Sequence, residues 1–240
     1  MKILAVDTSG QVATVAIIED RRILGEYFLN HKKTHSQKLM PLILSLINEL
    51  ELKIGDIDVF AASVGPGSFT GIRIGVTTIK SLAYTLNRPV VAVNTLDALA
   101  YNVFTMQNLI CPIMDARNNQ VFTALYKNSK SNFARLTEYL GVDIKELVDL
   151  IEKKNTDVIF VGDGIDIHKE YLKKVLGEKC DFMSWQFMLQ RASSVALLAF
   201  DRISSEGFDK CEEILPFYLR KSQAEREYER IQAEKRNDSV

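Results

Sequence analysis

The strongest chemical signal in this sequence is a run of small and hydroxyl residues, Gly65-Pro66-Gly67-Ser68-Phe69-Thr70-Gly71-Ile72-Arg73-Ile74-Gly75. An apolar stretch from Asp58 to Val64 leads straight into it, so the loop joins a buried strand to a helix. Such junctions are where α/β proteins hold ligands. Gly65, Gly67 and Gly71 allow backbone angles or close approaches that a side chain forbids. Ser68 or Thr70 is placed to cap the following helix, whose first amides would hold an anion. The run lacks the lysine of a Walker phosphate loop and the spacing of a Gly-x-Ser-x-Gly nucleophile elbow. Arg73 is the one charged group within it, suited to a nearby carboxylate or an acidic partner.

Two aspartates come next. Asp7 and Asp115 each end an apolar strand and open a turn, Asp7-Thr8-Ser9-Gly10 and Asp115-Ala116-Arg117-Asn118. Carboxylates there hold a magnesium ion beside a phosphate, or accept hydrogen bonds from the amides of the turn. Both roles remain open. The backbone of Thr8, Ser9 and Gly10 would cradle a phosphate. His31 and His35 stand four apart, a metal-ligand spacing when both lie on a helix. Here Thr34-His35-Ser36 reads as a helix start with His31 before it, so no metal site is expected. No catalytic set of nucleophile, base and orienting group can be assembled.

These residues need elements to position them. The expected order is a β-meander (Ile3–Val6, Val12–Ile18, Ile23–Leu29), a helix from about Ser36 to Leu50, and strand Asp58–Val64. A helix to Leu86, strand Val90–Val93 and a helix from Thr95 to Phe104 follow. A second unit then begins: strands Leu109–Met114 and Gln120–Tyr126, helix Ile144–Lys154, strand Val158–Val161 and helix Ser193–Ser205. The strand-Asp-turn-strand opening at both Asp7 and Asp115 predicts two similar α/β lobes, residues 1–105 and 106–220. The charged segment 221–240 is expected to be a frayed helix or disordered tail. In it Arg226 and Arg230 alternate with Glu225, Glu227 and Glu229, as on a solvated face.

The helices 36–50 and 71–86 carry apolar stripes: Leu39, Leu42, Ile43 and Leu46 on the first; Ile72, Val76, Ile79 and Ala83 on the second, with Gly71 and Gly75 one turn apart. Either the chain's own sheet consumes these stripes or a partner does. Bulk properties narrow the class. At 240 residues and 47% hydrophobic content the chain has a real core, and a net charge of −1 gives no general attraction to nucleic acid or membrane. Cys111, Cys180 and Cys211 are scattered, as in a reducing compartment. With no signal peptide and no apolar run of spanning length, a cytoplasmic location is expected.

Several of these pieces together resemble one family. Met1-Lys2-Ile3-Leu4-Ala5-Val6-Asp7-Thr8-Ser9, His35-Ser36-Gln37-Lys38-Leu39-Met40-Pro41, the Gly65–Gly75 run, Met114-Asp115-Ala116-Arg117, Val161-Gly162-Asp163-Gly164 and Pro216-Phe217-Tyr218-Leu219-Arg220 occur in order. They are similar to the bacterial tRNA threonylcarbamoyladenosine biosynthesis proteins of the TsaB (YeaZ) family. The resemblance implies two ribonuclease-H-like lobes of the actin, sugar-kinase and Hsp70 (ASKHA) superfamily. It implies a non-catalytic scaffold that pairs with TsaD, the paralogue transferring the threonylcarbamoyl group to the adenosine beside the anticodon in tRNAs reading codons that begin with A. A small ATPase, TsaE, completes that complex, and most tRNA contact would come from the partner. The pairing surface would be the two helices above, at Leu39, Leu42, Ile43, Leu46, Gly71, Ile72, Gly75, Val76, Ile79 and Ala83, with homodimers when the partner is absent. Charge placed at Gly75, Val76 or Ile79 is then expected to break pairing without unfolding the chain. The resemblance makes Asp7, Thr8, Ser9, Gly10 and Asp115 a vestigial phosphate site and leaves Gly65, Pro66, Gly67, Ser68, Thr70 and Arg73 as a structural loop. No cofactor is expected to bind tightly; the place left for ATP or ADP is a subunit junction of the complex. The competing reading is a small kinase-like phosphotransferase or ATPase built on Asp7, Asp115 and the glycine loop.

Overall fold

The computed structural model describes residues 1–31, 35–129 and 132–220. The tail 221–240, with the expectation attached to it, lies outside the described residues, as does Thr34. The first half of the chain runs β1 (Lys2–Asp7), β2 (Ala13–Glu19), β3 (Arg22–Leu29), α1 (His35–Glu49), β4 (Val59–Ser63), α2 (Phe69–Leu86), β5 (Val90–Val93) and α3 (Thr95–Tyr101). The second runs β6 (Leu109–Asp115), β7 (Gln120–Thr123), β8 (Tyr126–Ser129), β9 (Asn132–Arg135), β10 (Leu140–Asp143) and α4 (Ile144–Glu152). It continues through β11 (Val158–Val161), α5 (Ile165–Leu176), β12 (Cys180–Phe182), α6 (Trp185–Met188) and α7 (Ala192–Glu206).

Each half builds one mixed sheet, and the two share a topology. The first has the order β3-β2-β1-β4-β5, the second β10-β7-β6-β11-β12. In both, the first-formed strand pairs antiparallel with the second and parallel with the strand after the first long helix, as in Ile3↔Val59 and Leu109↔Val158. This is the ribonuclease-H-like arrangement, repeated. The central strands are apolar throughout because both faces are covered. Leu4, Val6 and Phe60 pack under α1 and α2, while Ile3, Ala5 and Ala61 face α7.

The sheets follow chain order, but the helices do not. Ala192, Val195, Ala196 and Ala199 of α7 close the second face of the first sheet. Leu96, Leu99 and Ala100 of α3 close the second face of the other sheet, against Ile110, Met114 and Val161. Asn102 locks the exchange. Its amide donates to the carbonyls of Phe187 (3.0 Å) and Leu189 (2.8 Å), and its carbonyl accepts from the Ser194 hydroxyl at 2.7 Å.

Local departures from the sequence reading have simple causes. The expected strand Gln120–Tyr126 is two strands, β7 and β8. They keep one register against β6 (Ile113↔Thr123, Ile110↔Tyr126) while the other edge passes from β10 to β9. At the changeover the Thr137 hydroxyl accepts from the Leu125 amide at 3.0 Å. Strands β9, β10 and β12 and helix α5 were not expected. α5 is rich in charge, yet Ile165, His168, Leu172 and Leu176 form its buried stripe.

Candidate functional site

The C-terminal ends of β1, β4, β6 and β11 meet at a cleft between the lobes, with a volume of about 600 Å³. Ser9 and Gly10, the glycine loop from Pro66 to Thr70, Asp115 to Arg117, Asp163 and Asp166 line it, and Tyr218 to Arg220 complete the wall. The fold therefore gathers the two Asp turns and the glycine loop, which lie far apart in sequence, at one place.

Asp7 itself does not face the cleft. It is fully buried, and its Oδ1 accepts from the Ser9 amide at 2.8 Å and the Ser9 hydroxyl at 2.6 Å. Its Oδ2 is buried with no hydrogen-bond partner among the described residues. Burial raises the carboxyl above its ordinary pKa, partly offset by the bonds from Ser9. Asp7 therefore organises the turn, and the turn's backbone forms the cleft wall. His35, the first residue of α1, adds a ring contact, with Nε2 3.1 Å from the Gly10 carbonyl. Exposed His31 precedes α1, so the two histidines do not share a helical face.

The glycine loop is a seat for this turn. A β-carbon at Gly67 would overlap the Ser9 carbonyl, one at Gly71 the Thr8 carbonyl, and one at Gly75 the Thr8 hydroxyl. Thr8 donates to the Gly71 carbonyl at 2.7 Å, and the Ser68 amide donates to the Ser9 carbonyl at 2.7 Å. Ser68 caps α2, its hydroxyl accepting from the Gly71 amide at 3.2 Å. Two of the amides that would greet an anion are thus already engaged. On the other side Gly65, at φ +117°, leaves room for the Phe217 carbonyl, and the Phe217 amide donates to Val64 at 2.7 Å. Among the described residues Arg73 binds no carboxylate. Its guanidinium lies 4.2 Å from the centre of the Phe69 ring and donates to the Tyr218 hydroxyl at 2.9 Å, while Phe69 and Tyr218 stack at 4.1 Å.

The second turn repeats the plan. Asp115 accepts from the Arg117 amide at 2.8 Å, and the Asp115 amide donates to Asp163 at 3.2 Å. Gly162, at φ +114°, holds the next turn against the Ile113 carbonyl as Gly65 holds the loop against Phe217. Asp163 was not singled out in sequence as a site residue, although Gly162-Asp163-Gly164 marked the strand end. Burial, with Asp115 and Asp166 nearby, pushes its carboxyl up to about 6. Three carboxylates and the Arg117 and Arg220 side chains make the cleft polar and of mixed charge. Among the described residues no three His, Cys, Asp or Glu side chains converge as a metal site.

The ten residues expected at a partner interface are corrected by their burial. Leu39, Ile43, Leu46, Gly71, Ile72, Gly75, Val76, Ile79 and Ala83 are buried within the chain, and Leu42 is half-buried against the same core. The first sheet consumes both stripes. Charge at Val76 or Ile79 would enter this core, and a side chain at Gly75 would strike Thr8. These substitutions would disrupt the fold rather than spare it. The outward faces of the same helices present Met40, Leu44 and Tyr84, at 36%, 50% and 78% exposure.

Fold and cleft together define a two-lobed α/β protein with a repeated ribonuclease-H-like topology and an interlobe cleft floored by two Asp turns. Over residues 22–228 the chain matches the family model described as TsaD, tRNA N6-adenosine threonylcarbamoyltransferase. It is 33% identical to the tRNA threonylcarbamoyladenosine biosynthesis protein TsaB of Bacillus subtilis over 225 residues, 94% of this chain and 96% of that one. It is 27% identical to the Haemophilus influenzae TsaB, covering 92% and 94%. The solved structure of YeaZ from Pseudomonas aeruginosa superposes with a TM-score of 0.75 at 25% identity, over 91% of this chain and 99% of that one. The chain belongs to the TsaB (YeaZ) family, within the wider family that the TsaD model describes.

Proposed function

We propose that this chain is a non-catalytic scaffold subunit in the threonylcarbamoylation of tRNA, acting by pairing with a TsaD-like catalytic paralogue. Its substrate, through that partner, is the adenosine next to the anticodon of tRNAs reading codons that begin with A. Family membership across almost the whole chain supports the reading. The observation that carries the non-catalytic part is the seating of Thr8 and Ser9 on the glycine loop. Carbonyls and engaged amides occupy the surface on which a kinase-like site would grip phosphate. Asp7, in the position of a metal-holding carboxylate, is turned away from the cleft into its own turn.

Pairing falls to the outer faces of α1 and α2, where Met40, Leu44 and Tyr84 stand in water in the lone chain. The same surface would serve a homodimer when the catalytic partner is absent. A TsaE-like ATPase docks on the resulting pair, and ATP or ADP, where it binds, sits at a subunit junction. The balanced charge of the chain supports a reading in which the partner makes most of the tRNA contact.

The test is reconstitution of tRNA threonylcarbamoylation from the donor synthase, a TsaD-like subunit and a TsaE-like ATPase, with and without this chain. Activity that requires the chain, with no turnover by the chain alone, is the expected result. Full activity in its absence would overturn the reading.

A further inference from the structure

A second cavity of about 1300 Å³ opens between the lobes and shares no residue with the Asp115 cleft. Phe217 lines the new cavity, whereas its neighbour Tyr218 lines the first. Six aromatic rings line it. Tyr101 stacks on Phe104 at 4.5 Å and meets Phe133 edge-on at 5.5 Å, and Tyr139 meets Phe217 at 5.6 Å. The two lobes supply the rings jointly.

Nine charged or polar side chains share the walls, among them the acids Asp97, Asp201 and Glu206. Asp97 accepts one bond from the Tyr126 hydroxyl and one from the Tyr139 hydroxyl, each 2.7 Å long and on separate oxygens. A carboxylate oxygen accepts two bonds, so each keeps a site for a further donor. Asn94 spends its carbonyl capping the Leu96 amide at 2.9 Å and keeps its amide N–H groups. Asn128 also lines the wall. Three arginines border the cavity, and two are committed. Arg21 holds Asp201 and the Tyr101 hydroxyl, and Arg202 holds Asp209, Glu206 and the Ala92 carbonyl. The third, Arg135, lies 3.8 Å over the Tyr139 ring and meets Glu138 at 3.8 Å, beyond hydrogen-bond length.

Ring faces call for a planar ligand, amide and carboxylate edges for one rich in donors and acceptors, and one guanidinium with N–H groups to spare for a single anionic group. An aliphatic acid would leave the rings unused, and a polyanion would meet Asp97, Asp201 and Glu206 and find one guanidinium, Arg135, with no hydrogen bond among the described residues. We propose that this cavity binds one nucleotide unit. The base lies against the rings with its edge at Asn94, Asn128 and Asp97, and the phosphate meets Arg135. The unit is supplied either as a free nucleotide or as an unstacked nucleotide of RNA. The inference does not rest on the scaffold reading.

The experiment is calorimetric titration of the full chain with adenosine 5′-monophosphate and, separately, with a short single-stranded oligoadenylate at low salt. Saturable binding of the mononucleotide, weakened tenfold or more by Arg135→Ala and by Asn128→Ala, supports a free-nucleotide site. Binding of the oligonucleotide alone, with the same losses, assigns the site to RNA. Circular dichroism checks that each variant is folded, and Asn128→Ala, on the cavity wall, carries the test if Arg135→Ala is not. No binding of either probe at millimolar concentration, or binding lost in Asp166→Ala and retained in Arg135→Ala, overturns the proposal.

Discussion

The hydroxyl of Thr8 donates to the carbonyl of Gly71 at 2.7 Å, and the two backbones meet there because residue 71 has no side chain. This contact joins the turn after β1 to the first turn of α2. It makes the glycine run a packing surface for the chain's own backbone.

Gly71→Ala should therefore destabilise the fold by overpacking. Its β-carbon has a backbone carbonyl as its obstacle, which yields less easily than a side chain. A loss of about 1–3 kcal/mol is expected, or more if the turn cannot move. Thr8→Val removes only the hydrogen bond and should cost about 1 kcal/mol. Urea titration of both variants measures the difference. Equal, negligible losses would show that the seat is not tightly packed.

The outer and inner faces of α2 should respond oppositely to charge. Tyr84→Glu, alone or with Leu44→Asp, alters exposed positions and should leave thermal unfolding nearly unchanged while weakening co-elution with a TsaD-like partner. Val76→Asp buries a carboxylate in the core under the first sheet and should unfold the chain. Undiminished co-elution of the Tyr84 and Leu44 variants would move the pairing surface elsewhere.

Asp163 should make the protein less stable at neutral than at mildly acid pH. Its carboxyl is raised from 3.8 to about 6, so the folded state holds the proton more tightly than the unfolded state does. The contribution is fully present below pH 3.8 and is lost as pH rises through about 6. Asp163→Asn should gain on the order of 2 kcal/mol near pH 7, with the gain shrinking toward pH 4. His168 runs the other way. It is buried and its pKa is lowered by desolvation, so its contribution is present above 6.5 and lost as pH falls below that value. Thermal melts of Asp163→Asn and His168→Gln across pH 4–8 separate the two.

The Phe217–Arg220 segment ties the lobes across the cleft mouth. Phe217 bonds Val64, Tyr218 stacks on Phe69 beneath Arg73, and Arg220 donates to the Ala116 carbonyl at 2.8 Å. Tyr218→Ala should raise amide exchange in the glycine loop and in the Asp115 turn together, at a cost of about 1–2 kcal/mol. Faster exchange in only one of the two turns would show that the segment does not couple the lobes.

Much of the framework was legible because its signals are local. Apolar runs ended by Asp or Gly placed β1, β4, β6 and β11, and the two Asp turns announced a repeated lobe. The glycine run stood out because several glycines at one strand-to-helix junction signal crowding. Helix α5 escaped notice because its buried stripe is three aliphatics and a histidine among lysines and acids. Strand β12 escaped because three residues carry no period.

By itself the sequence determined the order of the elements in the first lobe, the repeated strand-Asp-turn opening and the family, since periodicity and motif order are properties of the chain alone. Only the tertiary structure decided what each surface touches. A stripe such as Leu39, Ile43 and Leu46 has the same spacing whether it meets a partner or its own sheet, and here the sheet covers it. A carboxylate such as Asp7 has the same place in a motif whether it faces a phosphate or its own turn. Its burial and the two bonds from Ser9 could not be read from the sequence, because both depend on atoms that the fold, not the sequence order, brings together.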